Sequence, residues 1–388
     1  MRTTFLISML ASMLVFISCE TDDDNPTPPG GDSQQFLTLH FNESNKLAEG
    51  AYLSILKVKG KEVSYEKLND LYPHDNLRNS VDIQNNRIAI GLHLDFNVAG
   101  TRRQTNGAWF DISDGVHQIL PLLPAGTGRY EYCIGNTVKV SDNGYIFYLS
   151  ASNDIDYHDQ YRASLVRYNP KTGNLDTALD PGPFAVNQPE QGWDTETGQY
   201  RREFYPSGDG RYVYGAIETF GVSGGAIHWD YKILFKYDFD KQEYTRMGEA
   251  NDNQTLVLGM TSDGSGLLYN SSPGRKLVNV NTNAVSEITI SGGQAYANTS
   301  RWNSSGYCSG ETSNTIGIYN ILSDEKYSIK TPARPNYAQF SADGKQLYFM
   351  LESGSGKYLC RTNNLLPEAV TDTICELSSE VSEFMVIK

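Results

Sequence analysis

The sequence predicts an all-β protein, a seven-bladed β-propeller of four-stranded antiparallel blades. Three observations lead there. Beyond about residue 36 the apolar residues fall in short alternating runs, the period of half-buried strands, and no helical period is sustained. Two short sequence units alternate along the chain. Roughly 345 residues divided over seven such units is about 49 each, the length of a four-stranded blade.

The first unit is a tight turn followed by a strand. It reads Ser141-Asp142-Asn143-Gly144-Tyr145-Ile146-Phe147-Tyr148 and returns as Ser207-Gly208-Asp209-Gly210-Arg211-Tyr212-Val213-Tyr214. Further copies begin at Ser262 and Ser341, with weaker ones at Asn303 and Gln84. Gly, Asn and Asp suit such turns because they tolerate positive φ. The second unit is a hairpin about a polar turn, as in Leu165–Tyr168 followed by Asn169-Pro170-Lys171-Thr172-Gly173-Asn174. It recurs at Leu234 and Ile316 and begins near Ala51, Ala108, Lys276 and Lys357, which makes seven. One blade cannot bury both faces of its sheet; seven around an axis can. The last strand, Glu383–Lys388, is expected to pair with N-terminal strands and close the ring, removing exposed edges.

The ends read differently. Residues 1–18 combine Arg2 with the apolar run Phe5–Ile17, too short to span a bilayer comfortably, and are read as a signal peptide. Phe16-Ile17-Ser18-Cys19 resembles a bacterial lipobox, which implies lipidation of Cys19 and a membrane anchor. Residues 19–35 form an acidic, Pro- and Gly-rich tether, and residues 36–388 the propeller. The acidic cluster Glu20–Asp24 resembles the export tag of surface lipoproteins in Bacteroidota, which implies an outer-membrane protein displayed at the cell surface.

The formal charge is −14, and loss of Arg2 with the signal peptide gives −15. That balance argues against a nucleic-acid partner. Of the five cysteines, Cys360 and Cys375 fall on neighbouring strands of one hairpin, where a disulfide is geometrically allowed. The cysteine spacings match no zinc pattern, and no cofactor motif is present. Asp154, Asp156, His158 and Asp159 make an oxygen-rich cluster without an EF-hand pattern and are read as solvated loop charges. Gly221-Val222-Ser223-Gly224-Gly225 satisfies G-x-S-x-G but is read as a Gly-rich blade loop, not a strand–turn–helix elbow.

With strands labelled A to D from the axis outward, A–B and C–D turns lie on one rim and B–C and D–A connections on the other. The first set is short throughout. The second is expected to be long only in blades 2 to 4, over roughly 68–80, 93–107, 121–137, 151–163, 180–204 and 219–231. Long loops on a rigid scaffold usually carry function. These loops concentrate Arg and aromatic residues, from which the expected ligand-binding set is Arg129, Tyr130, Tyr161, Arg162, Trp193, Tyr200, Arg201, Arg202, His228 and Trp229. Guanidinium forks hold oxygen anions and aromatic faces stack on rings, so the expected ligand is a small anionic or aromatic molecule, a peptide or a glycan.

The Ser-x-Asp-Gly turn before a strand ending in Tyr resembles the blades of TolB-like, YVTN-like and WD40-like propellers, which implies the fold and no function. In anchor, architecture and Arg/Tyr content the chain is similar to lipidated propellers that capture iron–siderophore complexes. That similarity implies a monomeric, non-catalytic binding protein serving an outer-membrane transporter. The alternative is a propeller-fold carbohydrate-active enzyme, a glycoside hydrolase or polysaccharide lyase, with acids in the same loops; spacing alone assigns no catalytic pair.

Overall fold

The computed structural model describes residues 34–40, 52–68, 77, 81–94, 104–113, 115, 117–121, 130–133, 137–153, 163–181, 196–223, 226–252, 256–261, 264–271, 274–288, 301–302, 307–312, 314–320, 325–341, 345–354, 356–366 and 368–387. The chain divides between Asp32 and Ser33, and the ring is built from the second part. Cys19, the signal segment and the tether up to residue 33 lie outside the described residues, as does the cluster 154–159, whereas Gln34 and Gln35, expected in the tether, open β1.

Blade 1 contains β1 (Gln34–His40), β2 (Tyr52–Lys59) and β3 (Glu62–Leu68). Blade 2 is β4 (Val81–Gln84), β5 (Arg87–Leu94), β6 (Gln104–Asp111) and β7 (His117–Ile119). In blade 3 the innermost strand is split into β8 (Tyr130–Cys133) and β9 (Lys139–Val140), followed by β10 (Ile146–Asn153), β11 (Ala163–Tyr168) and β12 (Leu175–Thr177). Blade 4 is β13 (Glu196–Pro206), β14 (Tyr212–Ser223), β15 (Ala226–Asp238) and β16 (Glu243–Asp252). Blade 5 is β17 (Leu256–Thr261), β18 (Gly266–Ser271), β19 (Gly274–Asn279) and β20 (Val285–Ile288). Blade 6 has β22 (Tyr307–Thr312), β23 (Thr315–Asn320) and β24 (Glu325–Lys330) paired, preceded by the short β21 (Arg301–Trp302), which runs parallel to β17. Blade 7 is β25 (Pro335–Phe340), β26 (Leu347–Ser353), β27 (Gly356–Thr362) and β28 (Thr371–Leu377). The last strand, β29 (Val381–Val386), pairs antiparallel with β1 and supplies the inner strand of blade 1, closing the ring as expected.

Alternation sends the apolar side chains of each blade to both faces, and each face meets the next blade. Leu37 and Ile55 of blade 1 pack with Ile88 and Phe110 of blade 2. Ala89 and Trp109 pack with Ile146 and Tyr148, and Phe147 and Leu165 with Phe204 and Phe235. Tyr214 and Leu234 pack with Leu267 and Tyr269. Leu268, Ile316, Ile318 and Phe349 join blades 5, 6 and 7. Phe36 and Leu56 return to Tyr348 and Met350, with the Phe36 and Tyr348 rings edge-on at 5.2 Å. The core is therefore a ring of blade-to-blade seams, each of them filled by apolar side chains of the described residues.

The recurrent turn has a physical explanation. The Ser or Thr that opens it turns its hydroxyl back on the turn and accepts a backbone N–H. Ser141 Oγ accepts from Tyr145 at 3.0 Å and Ser207 Oγ from Tyr212 at 2.9 Å. Thr261 Oγ1 accepts from Gly266 at 2.8 Å, and Ser341 Oγ from Gln346 at 3.0 Å. Each hydroxyl satisfies a donor that the tight turn would otherwise leave unpaired. Gly144 and Gly210 sit at φ of 87° and 69°, where a side chain is strained.

These turns also fasten neighbouring blades. Arg87 Nη1 donates to the Gly144 carbonyl at 2.7 Å, and Arg167 Nη1 to the Gly210 carbonyl at 3.2 Å. The amide of Asn143 donates to the Gly208 carbonyl at 3.0 Å. Both guanidinium groups are oriented by carboxylates, Arg87 by Asp111 at 3.0 Å and Arg167 by Asp176 at 2.8 Å.

One expectation is corrected. Cys360 and Cys375 lie on adjacent strands, β27 and β28, but both thiols are free. Cys375 pairs in register with Leu359, whereas Cys360, one residue on, pairs with Thr373 across a register shift. The two side chains accordingly enter different seams, Cys360 that of blades 5 to 7 and Cys375 that of blades 7 and 1. Burial raises the Cys375 thiol to about 11 and also raises that of Cys360, so both are held as unreactive thiols.

A candidate ligand site on the inner strands of blades 3 and 4

Strand direction sorts the connections onto two rims, because successive strands in a blade are antiparallel. One rim carries the short A–B and C–D turns; the strand ends on the other receive everything else. On that second rim the expected loop layout changes. Residues 219–231 are not a loop: β14 runs to Ser223 and β15 resumes at Ala226. Gly221, Val222 and Ser223 of the G-x-S-x-G match are thus the end of a β-hairpin arm, with Gly221 paired to His228. Likewise β13 begins at Glu196, which removes its residues from the expected loop 180–204. β1 ends at His40 and β2 begins at Tyr52, and β20 ends at Ile288 and β21 begins at Arg301, so long intervals between strands are not confined to blades 2 to 4.

The physical reason is continuous strand propensity. Tyr212–Ser223 and Ala226–Asp238 are rich in aromatic and β-branched residues, and the intervening pair is Gly-Gly, which suits a two-residue hairpin turn. With 12 residues, β14 exceeds the 8-residue β10 of blade 3. At about 3.4 Å per residue the described part of β14 is roughly 14 Å longer, and with β15 it forms a β-sheet wall at that end of blade 4.

The inner strands show a second asymmetry. From Tyr200 to Phe204 β13 advances four residues while its partner β14 moves two, from Ile217 to Gly215. The insertion, a bulge, contains Arg201, Arg202 and Glu203. In blade 3 the inner strand advances six residues, Cys133 to Lys139, against three on β10, from Ser150 to Phe147. In blades 5 and 7 the corresponding shifts amount to one residue, between Val257 and Gly259 and between Asn336 and Gln339. Bulges re-aim side chains and gather at functional sites. Gly215 makes room for the bulge of blade 4: a Cβ there would stand 3.0 Å from Phe204 Cβ and 3.3 Å from the Glu203 carbonyl.

The expected binding residues divide accordingly. Arg129, Tyr161, Arg162 and Trp193 lie outside the described residues. Tyr130 opens β8, and Tyr200, Arg201 and Arg202 lie on β13; these four positions are on the inner strands of adjacent blades 3 and 4. His228 and Trp229 occupy the wall of blade 4 on β15, two strands farther out.

Sequence reasoning missed two charged groups on the inner strands, Asp82 and Lys139. Asp82 is buried and its Oδ2 accepts the Val140 amide at 2.7 Å, tying blade 2 to blade 3. Lys139 places its ammonium 5.5 Å over the ring of Tyr205 on β13. The available signal was a charge inside a short apolar run just before an A–B turn, as in Val81-Asp82-Ile83 and Val138-Lys139-Val140. Among the described residues no group of three or more His, Cys, Asp or Glu could hold a metal ion. No helix among them is long and apolar enough to cross a membrane.

On the same rim, at the seam of blades 7 and 1, His40 is 2% exposed. It stacks on Tyr52 at 4.6 Å and meets Tyr65 edge-on at 5.1 Å. The Thr38 hydroxyl gives its one proton to the Ser54 carbonyl, so it accepts from His40 Nε2–H at 2.9 Å. That leaves Nδ1 without a hydrogen-bond partner among the described residues. Burial lowers the imidazole to about 4 against the opposing pull of Glu380.

No protein-family model matches the chain, and no curated protein matches it in sequence. Among solved structures, TolB from Acinetobacter baumannii is similar over 90% of this chain and 65% of its own, at 12% identity and a TM-score of 0.39. Oligogalacturonate lyase in complex with manganese is similar over 89% of this chain and 86% of its own, at 12% identity and a TM-score of 0.44. A protein from Lactobacillus plantarum is similar over 92% of this chain and 100% of its own, at 10% identity and a TM-score of 0.47. The chain spans less than two thirds of the TolB chain, and at such identities and TM-scores the likeness carries no function to this chain.

Proposed function

We propose that this chain is a lipid-anchored cell-envelope binding protein, tethered to the outer membrane through Cys19, that captures a small anionic or aromatic ligand at the axial mouth of blades 3 and 4. The observation that carries this reading is the paired insertion in the inner strands of those two blades. Tyr130 and Tyr200 lie in register on these adjacent inner strands, and Arg201 and Arg202 fall in the inserted segment of blade 4. A ring with closed seams supplies a rigid frame, and irregular inner strands on one sector supply a local surface for recognition. Handing the ligand to an outer-membrane transporter is the role that a capture protein with such an anchor would serve.

The test is to extract the full chain from its native membrane and identify small molecules that remain bound, by mass spectrometry. The wild type should carry a copurifying molecule that Arg201→Ala with Arg202→Ala reduces at least tenfold. Retention of that molecule by the double variant would contradict the assignment. Turnover of a polysaccharide, lost on replacing an acid of blades 2 to 4, would establish the carbohydrate-active alternative instead.

A further inference from the structure

We infer that the turn between β27 and β28, at the outer edge of blade 7, rests on the bilayer that holds the Cys19 lipid, with the Leu366 and Val370 side chains entering its interface. The inference rests on the anchor of the reading above and adds an orientation to it: the rim of A–B and C–D turns faces the lipid.

β27 ends at Thr362 and β28 begins at Thr371, the longest connection on this rim; in blades 1 and 4 the equivalent connection is 60–61 and 239–242. Its composition differs too. It reads Asn363-Asn364-Leu365-Leu366-Pro367-Glu368-Ala369-Val370, where the C–D turn of blade 3 reads Asn169-Pro170-Lys171-Thr172-Gly173-Asn174. The turn is tied down at several points. The Asn363 amide donates to the Val370 carbonyl at 3.0 Å, and the Val370 amide to Asn363 Oδ1 at 2.9 Å. The Leu366 amide donates to Asn364 Oδ1 at 2.8 Å, and the Ala369 amide to the Leu366 carbonyl at 2.9 Å. Leu365 and Ala369 pack against the seam of blades 5 to 7. Leu366 and Val370, held by the same turn, are 52% and 59% exposed. Val63, on β3 of neighbouring blade 1, is exposed as well and pairs with Val58 of the seam between blades 7 and 1. The remaining exposed large apolar residue among those described, Leu179, lies elsewhere: its amide donates to the Tyr237 hydroxyl and its carbonyl accepts from Tyr244, both of blade 4.

A single exposed Leu needs no explanation, but apolar side chains gathered on one ordered turn mark a surface that meets something. The entry point of the chain says what. β1 begins at Gln34, paired with Val58, and β2 ends one residue later at Lys59, where the C–D turn of blade 1 starts. The segment from Cys19 therefore joins the ring on the turn rim, in the blade next to this turn. Its fifteen residues reach no farther than about 54 Å, so a lipid at Cys19 keeps the ring close to the bilayer. The rim that carries the attachment is the one drawn toward the lipid. There the Leu366 and Val370 side chains gain by leaving water, while the exposed Glu368, Lys59 and Lys61 stay among the headgroups. A contact of two or three side chains does not hold a protein to a membrane by itself; it orients a chain that the lipid already holds.

The full chain reconstituted on phosphatidylcholine vesicles tests this. Leu366 and Leu179 are equally exposed in the ring, at 52% and 51%, so hydroxyl-radical labelling carries its own standard. On vesicles Leu366 should label at least about fivefold less than Leu179. Equal labelling of the two would overturn the proposal. In vesicles brominated near the headgroup end of the acyl chains, the Trp added by Leu366→Trp should lose about half its emission. The Trp added by Glu352→Trp, at the B–C hairpin of the same blade, should lose none. Protection of Leu366 without quenching would mean that protein covers the turn, a second copy or a partner, and would overturn the proposal as well. If the wild type floats with the vesicles and Leu366 stays fully labelled, the Cys19 anchor stands and only the role of the turn is lost. If the wild type does not float, the anchor fails and the orientation fails with it.

Discussion

On the rim of A–B and C–D turns, blades 2, 3 and 4 are bound to one another by side chains reaching the carbonyls of the next blade's turn, and each turn is closed by its own Ser or Thr hydroxyl. Away from that rim blades 3 and 4 carry irregularity: a split inner strand in blade 3, and in blade 4 an inserted Arg201-Arg202-Glu203 segment and a long hairpin. The comparison teaches a division of labour within single blades. Interactions that hold register are concentrated at one end of each sheet, which frees the other end to depart from regular pairing without loosening the ring.

The largest effect that separates the two rims should come from Arg167→Ala. Arg167 is largely buried, pairs with Asp176, reaches Gly210 and lies over the Tyr145 and Phe239 rings at 5.2 and 4.7 Å. Its loss should cost about 3 kcal/mol in denaturant unfolding, with ligand retention unchanged in the folded protein. Wild-type stability in that variant would dissolve the distinction between the rims.

His40 sharpens the comparison, because it ends β1 away from the A–B turns yet is buried against the Tyr52 and Tyr65 rings. Its folded value of about 4 lies below the ordinary 6.5, so the unfolded chain takes up the proton first as pH falls. Stability should therefore decline from pH 6.5 to about 4, by at most about 3 kcal/mol from this group, and level off below. His40→Phe should remove that part of the acid sensitivity; an unchanged pH profile would show that His40 is not held neutral.

A smaller effect is expected from Ser207→Ala, which strips the Tyr212 amide of its acceptor and should cost about 1 kcal/mol by the same measurement. The smallest effect on stability should come from Arg201→Ala with Arg202→Ala, within about 0.5 kcal/mol of wild type if these residues serve the ligand rather than the fold. A loss as large as that of Arg167→Ala would place them in the frame.

Much of the fold was legible because its signals are local. Ser141, Ser207 and Ser341 each announce a turn whose hydroxyl closes it, and the alternation after each turn reports a strand with two different faces. Glu383–Lys388 could be placed in the ring because a propeller must consume its last strand. Register was not legible. The extra residues at 201–203 have ordinary composition, and only pairing with Ile217 and Gly215 reveals the insertion. Cys360 and Cys375 were placed on the right strands and the wrong faces, since a single register shift at Leu359 decides which seam each enters. The Gly-rich stretch 221–225 looked like a loop because glycine signals breaks, yet here the break is two residues wide and the strands continue on both sides.

The most direct test of the capture mechanism is an experimental structure of the protein purified from its native membrane with its copurifying molecule in place. The account predicts density for that molecule against the inner strands of blades 3 and 4, in contact with residues 130–133 and 200–203. Density seated on the opposite rim, among the A–B and C–D turns, would contradict it.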